Sequence, residues 1–351
     1  MTVVSGFHEG ELAVQRRAGV GAAAARLTGM LAAPALTGGA GRFLRDRDLA
    51  VLTAHDHEGR LWTVPLLGEP GFLDVVDDAT LDVLALPAPD GPLGGSGADP
   101  AGPLRGDQVG LIAVDLAVRR RLRVNGTVVA LGPTGFAIAA DQAYGNCPQY
   151  IQRRQVDILN EPDSEAGAEP ESEADSEPDS EAGAGTGARR GPAGDGRARG
   201  RTAAVRSDRL DAGQRQLIAR ADTFFLGTTH PEHGTDASHR GGAPGFVRVE
   251  SDGEGGDRLW WPDYPGNNMF NSLGNIAADG SAALLFVDFP TGTALHLSGT
   301  AEVEWTGPGI AGDDGGTGRR VRFTPRRVVG TATRLRATRP VPYPGNPPLT
   351  G

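Results

Sequence analysis

Apolar residues recur along this chain at two different periods. Over residues 9–33, Leu12, Ala13, Arg16, Val20, Ala23, Leu27, Met30 and Leu31 form a mostly apolar face near a 3.6-residue period, which predicts one helix. Pro34 and the glycines at 38, 39 and 41 stop it. From Asp48 the period shortens to two. Residues 49–54, 61–67 and 81–86 read as short strands, with the turn Asp56-His-Glu-Gly59 between the first two. Residues 109–114 and 121–129 read as an antiparallel pair. In the second of these, Leu122, Val124 and Val128 alternate with Arg121, Arg123 and Thr127, the pattern of a strand with one face in a core. Residues 88–105, rich in Gly and Pro, read as a mobile loop.

The second half opens with a short helix at 211–221. Strands are predicted at 223–229, 245–250, 258–261, 282–289, 294–304 and 319–329, with a polar, helical connection between 262 and 279. The two halves repeat one another. Asp48-Leu-Ala-Val-Leu-Thr-Ala matches Asp222-Thr-Phe-Phe-Leu-Gly-Thr, and Pro70-Gly-Phe matches Pro244-Gly-Phe, both at an offset of 174. Leu111-Ile-Ala-Val-Asp matches Leu284-Leu-Phe-Val-Asp at 173. A solenoid repeats every 20–50 residues or so, so this spacing indicates a duplicated domain, an intrachain pseudo-dimer. Five or six short antiparallel strands per copy, with few helices, predict a mainly β (α+β) fold built on small closed barrels. The expected divisions are an N-terminal helical segment (1–45), a first copy (46–156), a linker (157–207) and a second copy (208–351).

The linker is the least core-like part. Glu161-Pro-Asp-Ser-Glu-Ala-Gly-Ala recurs with changes at Glu169 and unchanged at Glu177, and contains no apolar residue larger than Ala or Pro. Such a segment has nothing to bury and is expected to be disordered. At 351 residues the chain is long enough for two cores. Its net charge of −10 argues against a nucleic-acid partner. The absence of lysine excludes Schiff-base chemistry on a lysine amine. The single cysteine, Cys147, excludes an internal disulfide. The N-terminus lacks a basic segment followed by an apolar run, and residues 18–41 carry Arg26, Pro34 and several glycines, so neither a signal peptide nor a membrane span is expected. The expected setting is the cytoplasm.

Candidate chemistry concentrates in the second copy. Ser238-His239-Arg240-Gly241 ends a strand, and Gly266-Asn267-Asn268-Met269-Phe270-Asn271-Ser272 follows the next strand pair. Hydroxyl, imidazole and guanidinium groups suit a phosphate, and glycines let an anion reach the backbone. A helix starting near Asn268 would aim its N–H groups at that anion. On residue types alone, a surface turn followed by a capped helix fits equally well.

These stretches, with Pro262-Asp-Tyr-Pro-Gly and Leu284-Leu-Phe-Val-Asp-Phe, resemble the pyridoxamine 5'-phosphate oxidase-like family of FMN-binding split β-barrels. The first copy, with Arg120-Arg-Leu-Arg-Val-Asn-Gly and Tyr144-Gly-Asn-Cys-Pro-Gln-Tyr-Ile, looks like the companion half of a two-barrel branch. The resemblance implies tandem split barrels with one FMN in the groove between them. It places Ser238, His239, Arg240, Gly241, Asn267, Asn268, Asn271 and Ser272 at the phosphate and ribityl chain, with no metal and no assigned catalytic residue. Two departures stand out. Asn268 occupies a position where the family pattern has Arg, and Val64-Pro65-Leu66 stands in the first copy opposite Ser238-His239-Arg240.

The implied activity is two-electron oxidation or reduction of a small molecule. The alternatives are a deazaflavin-dependent reductase and a flavin-binding or degenerate scaffold without turnover, and a homodimer is open. Cys147 reads first as a small buried residue, and second as a thiol activated by a helix beginning at Pro148. His55, His57, His230 and His233 are expected in solvent-exposed turns. Of Trp260 and Trp261, strand alternation puts one in the core.

Overall fold

The structure is a computed structural model that describes residues 6–31, 33–95, 102–145, 147–159, 204–251, 253, 256–310 and 313–349. The octad repeats lie outside the described residues, as does part of the Gly/Pro-rich loop.

The N-terminal apolar face folds as α1 (Glu9–Arg17), α2 (Gly21–Ala25) and a 3-10 turn (Thr28–Leu31), not as one helix. Gly19 adopts φ +72° just past the end of α1, a left-handed conformation that turns the chain off the helix axis. The start of α1 is fixed by a capping box. The imidazole of His8 accepts from Gly10 N–H, and the Glu11 carboxylate accepts from His8 N–H. A further helix, α3 (Gly39–Arg45), precedes the first sheet.

That sheet comprises β1 (Leu49–His55), β2 (Leu61–Leu67), β3 (Leu73–Val75), β4 (Thr80–Val83), β5 (Gln108–Asp115), β6 (Arg120–Gly132) and β7 (Gly135–Gly145). The chain continues through β8 (Val156–Ile158), β9 (Val205–Ser207) and α4 (Ala212–Arg220). The second sheet comprises β10 (Thr223–His230), β11 (Gly234–Gly241), β12 (Arg248–Ser251), β13 (Asp257–Pro262), β14 (Ser281–Asp288), β15 (Thr293–Trp305) and β16 (Arg319–Ala332), with α5 (Asn271–Ala278) between β13 and β14. A last strand, β17 (Leu335–Ala337), pairs with β8.

Both sheets have the same antiparallel order. The first runs β2-β1-β5-β6-β7-β4-β3 and the second β11-β10-β14-β15-β16-β13-β12, so each strand has its counterpart nine numbers on. The register carries the 174 offset. Leu52 faces Val64 in the first copy, and Leu226 faces Ser238 in the second. The fold is mainly β, with tandem split barrels.

Each barrel has its own apolar core. A third cluster draws on both halves, including Val51 and Ile112 from the first and Phe225 and Leu285 from the second. This seam explains why every residue of β10 is buried: one face fills its barrel and the other meets the first half. The close approach demands small residues. A Cβ on Gly110 of β5 would lie 2.6 Å from the backbone of Asp236 and Ala237.

Candidate functional site

A cleft opens at the seam, walled by β6, Tyr144, Cys147, Gln149 and Tyr150 on one side and by β11, β13 and the entry to α5 on the other. His239, Arg240, Gly241, Asn267, Asn268, Asn271 and Ser272 all line it. Ser238 does not. It is fully buried, and its hydroxyl donates to the Leu226 carbonyl. Ser272 Oγ lies 3.1 Å from both Asp236 Oδ2 and Ser238 Oγ, so this pair joins a buried network behind the wall.

The first half contributes cations that sequence reasoning missed. Arg121 and Arg123 project from β6 into the seam. Arg123 Nη1 lies 3.0 Å from both oxygens of Asp236, and Asn125 donates to the same carboxylate. Arg121 Nη1 donates to His239 Nδ1 at 2.8 Å. Since Nδ1 accepts, the His239 proton sits on Nε2, and that buried nitrogen has no partner among the described residues. The Nε atoms of Arg121, Arg123 and Arg240 are likewise buried and unpartnered, as are Asn271 Oδ1 and the Tyr264 hydroxyl. Buried polar atoms are nearly always paired. Apart from Asn271 Oδ1, which accepts, the set around this cleft is complementary to a ligand carrying acceptors.

The electrostatics point the same way. Arg240 stands 3.8 Å from Asp263, which also pairs with Arg319 at 3.0 Å. Four guanidiniums (Arg121, Arg123, Arg240, Arg319) thus face two carboxylates, Asp236 and Asp263, and the excess of two positive charges matches a phosphate dianion. Crowding leaves its mark on the groups themselves. Burial, together with Arg123 and Arg240, draws Arg121 down to about 9. Burial, with Arg121, Arg154, Arg240 and Arg123 around it, holds His239 well below the ordinary histidine value, so it is a neutral donor.

The backbone here is held in an uncommon conformation. Tyr150, Asn268 and Phe270 have φ between +61° and +63°, and all three line the cleft. Non-glycine residues in this region cost about 1–3 kcal/mol each and cluster at functional sites. The helix entry falls later than expected, with Phe270 before the first helical residue Asn271 and no side chain capping it. The role of Gly241 also differs from expectation. The group that approaches it is the Tyr150 carbonyl, 2.0 Å from where a Cβ would stand, not a ligand anion.

Other expectations are corrected. Cys147 is exposed at the cleft, and no helix begins at Pro148. Of Trp260 and Trp261, the alternation holds: Trp261 joins the second core and lines the cleft, while Trp260 packs between Arg248 and Arg320. His230 is buried, not exposed, against His8 and Glu9, whose ligand-type atoms all lie within 4.8 Å of its own. This cluster does not present a metal with free lone pairs. Nδ1 of His8 accepts from Gly10 N–H, and Nδ1 of His230 accepts from Glu232 and His233 N–H. Their protons therefore sit on Nε2, facing Asn275 Oδ1 and Glu9 Oε1. The cluster docks α1 onto the second barrel.

Residues 210–310 match the family model for pyridoxamine 5'-phosphate oxidase. No curated protein matches the chain. Solved structures that resemble it include a pyridoxinephosphate oxidase family protein related to general stress protein 26 from Clostridium acetobutylicum (16% identity, 35% of this chain, 89% of that one, TM-score 0.23). Others are an F420 reductase (19%, 36% and 98%, TM-score 0.23) and HutZ, a heme storage protein from Vibrio cholerae (10%, 35% and 95%, TM-score 0.25). No helix among the described residues is long and apolar enough to cross a membrane.

Proposed function

We propose that the seam cleft binds FMN and that the protein is a flavin-dependent oxidoreductase acting on a small molecule. The observation that carries this reading is the excess of buried cationic and N–H donor groups, above all Arg240 Nε and His239 Nε2, left without partners among the residues that line the cleft. A phosphate dianion there would satisfy both the hydrogen bonds and the charge. Arg121 and Arg123, reaching across from the first half, supply the charge that Asn268 lacks.

The residues have distinct roles in this reading. Arg240 and the His239 Nε2–H hold the phosphate. Arg121 fixes the His239 tautomer, and Asp236 orients Arg123. Tyr150, Tyr264 and Phe270 offer aromatic surface further along the cleft. Flavin, when bound, supplies two-electron redox chemistry, and the protein supplies position and electrostatics.

One cleft per chain is the expected stoichiometry. At the matching positions of the other copy, Arg121 and Arg123 become Ala294 and His296, and Ser238-His239-Arg240 become Val64-Pro65-Leu66. His296 is buried, with both ring nitrogens engaged by Thr63 O and Thr331 Oγ1. The test is an absorption spectrum of the purified chain and a titration with FMN followed by fluorescence quenching. Saturation at one equivalent supports the reading, and a chain that ignores FMN overturns it.

A further inference from the structure

The enclosed part of the cleft is small. It holds about 110 Å³, against roughly 300–1,000 Å³ for ordinary small-molecule sites. A phosphate group fits there, and the rest of a mononucleotide has to extend into the open part of the cleft. One residue ties the two walls together across it. Tyr150, from the first half, donates its hydroxyl to the Pro265 carbonyl of the second half at 2.9 Å. Its ring lies 5.0 Å from that of Tyr264. Deeper ties at Arg121–His239 and Arg123–Asp236 are buried or half-buried, whereas the Tyr150–Pro265 bond is open to solvent.

Tyr150 sits on a constrained main chain. Its backbone is left-handed, at φ +63°. The C-terminal segment keeps the neighbouring chain in place: Arg153 and Val341 exchange backbone hydrogen bonds of 2.9 and 2.7 Å. Tyr343 N–H donates to Gln152 Oε1, and the Tyr343 ring stands edge-on 5.5 Å from Tyr150. Arg119 anchors the same segment through the carbonyls of Ile151 and Pro342. The main chain around Tyr150 is therefore fixed, and its side chain, held by one hydrogen bond, ring contacts and packing on the rim of the second barrel's core, is the part that can swing.

We propose that Tyr150 is a gate whose side chain swings off Pro265 to admit a ligand and closes again behind it. A gate alters the rates of entry and exit together, whereas a simple ligand contact alters exit alone. The test compares Tyr150→Phe with the parent chain in stopped-flow binding of FMN, and for this probe it rests on the flavin reading above. Tyr150→Phe keeps the ring and removes the bridge. Association and dissociation are both expected to quicken about fivefold, the factor equivalent to a net hydrogen bond of about 1 kcal/mol, with Kd changed less than twofold. Unchanged rates, or faster dissociation alone, would overturn the gate. If the parent chain ignores FMN, the flavin reading fails by itself. The gate is then read from exchange broadening of inorganic phosphate in 31P spectra, where faster exchange in Tyr150→Phe sustains it and equal exchange, or no phosphate binding at all, refutes it.

Discussion

Arg121 of the first half donates a 2.8 Å hydrogen bond to Nδ1 of His239 in the second. This contact decides what His239 offers the cleft. With Nδ1 occupied as an acceptor, the ring presents an N–H at Nε2, and burial beside four arginines keeps it from charging. The cleft wall is thus assembled by both halves, and neither half carries it alone.

Arg240→Ala and Arg121→Ala should each weaken FMN binding at least tenfold. Loss of a charged hydrogen-bonding partner costs on the order of 1.5–3 kcal/mol, one to two decades in affinity. The Arg121 variant also frees the His239 tautomer, so its effect should not be smaller. Arg120→Ala, an exposed neighbour on β6 outside the cleft, serves as control. Equal affinities for Arg240→Ala and the parent chain would move the phosphate elsewhere.

The duplication and most strands were readable because apolar alternation and the 174 offset are local, linear signals. β2 (61–67) was bounded to the residue. The single helix over 9–33 failed because period alone does not register a left-handed Gly19. The arginines of β6 were misread for a physical reason. An alternating strand predicts one core face and one solvent face, but here the second face meets another barrel. Arg121 and Arg123 therefore look like surface residues in the sequence, while Arg123 is buried in a seam. Comparison of the two copies held the signal, since Ala294 and His296 at the matching positions break the arginine pattern. Glu11 and Tyr150 left no such trace, because their roles depend on contacts with residues more than a hundred positions away.

Gly241→Ala should destabilise the chain. The added methyl would collide with the Tyr150 carbonyl at 2.0 Å, and that carbonyl is main chain that cannot turn aside. Overpacking of this kind costs about 1–3 kcal/mol, a fall in melting temperature of roughly 2–10 °C. Gly21→Ala, with no atom within 4 Å of the new methyl, should melt with the parent chain. Identical melting of all three proteins would show that the two halves do not meet at Gly241.

Gly110→Ala tests the seam itself. Its methyl would meet the backbone of Asp236 and Ala237 at 2.6–2.7 Å, on the strand that carries His239 and Arg240. The expected result is a lower melting temperature together with weaker FMN binding, although Gly110 is not among the residues that line the cleft. A loss of stability with unchanged affinity would separate the seam from the site.

The docking of α1 should be nearly independent of pH, through two opposed titrations. His8 is buried against His230 and His233, which lowers it from 6.5 to about 4. Its contribution is complete above pH 6.5 and is lost as pH falls toward 4. Glu11, 3.6 Å from His8, is raised from 4.5 to about 7 by burial, despite bonds from His8 N–H and Asn271. Its contribution is complete below pH 4.5 and is lost as pH rises through 7. The exposed Glu9 carboxylate, held by its own helix start and by His230, is lowered and adds a smaller loss on the acid side. Between pH 4.5 and 6.5 the two main slopes cancel, and single substitutions should uncover each. Glu11→Gln leaves His8 alone, so stability should fall on acidification from pH 6.5. His8→Asn keeps a good N-cap and leaves Glu11 alone, so stability should fall on going from pH 4.5 to 7. Melting temperatures measured at half-unit steps across this range decide it. Parallel profiles for both variants and the parent chain would mean that neither group changes its proton when α1 docks.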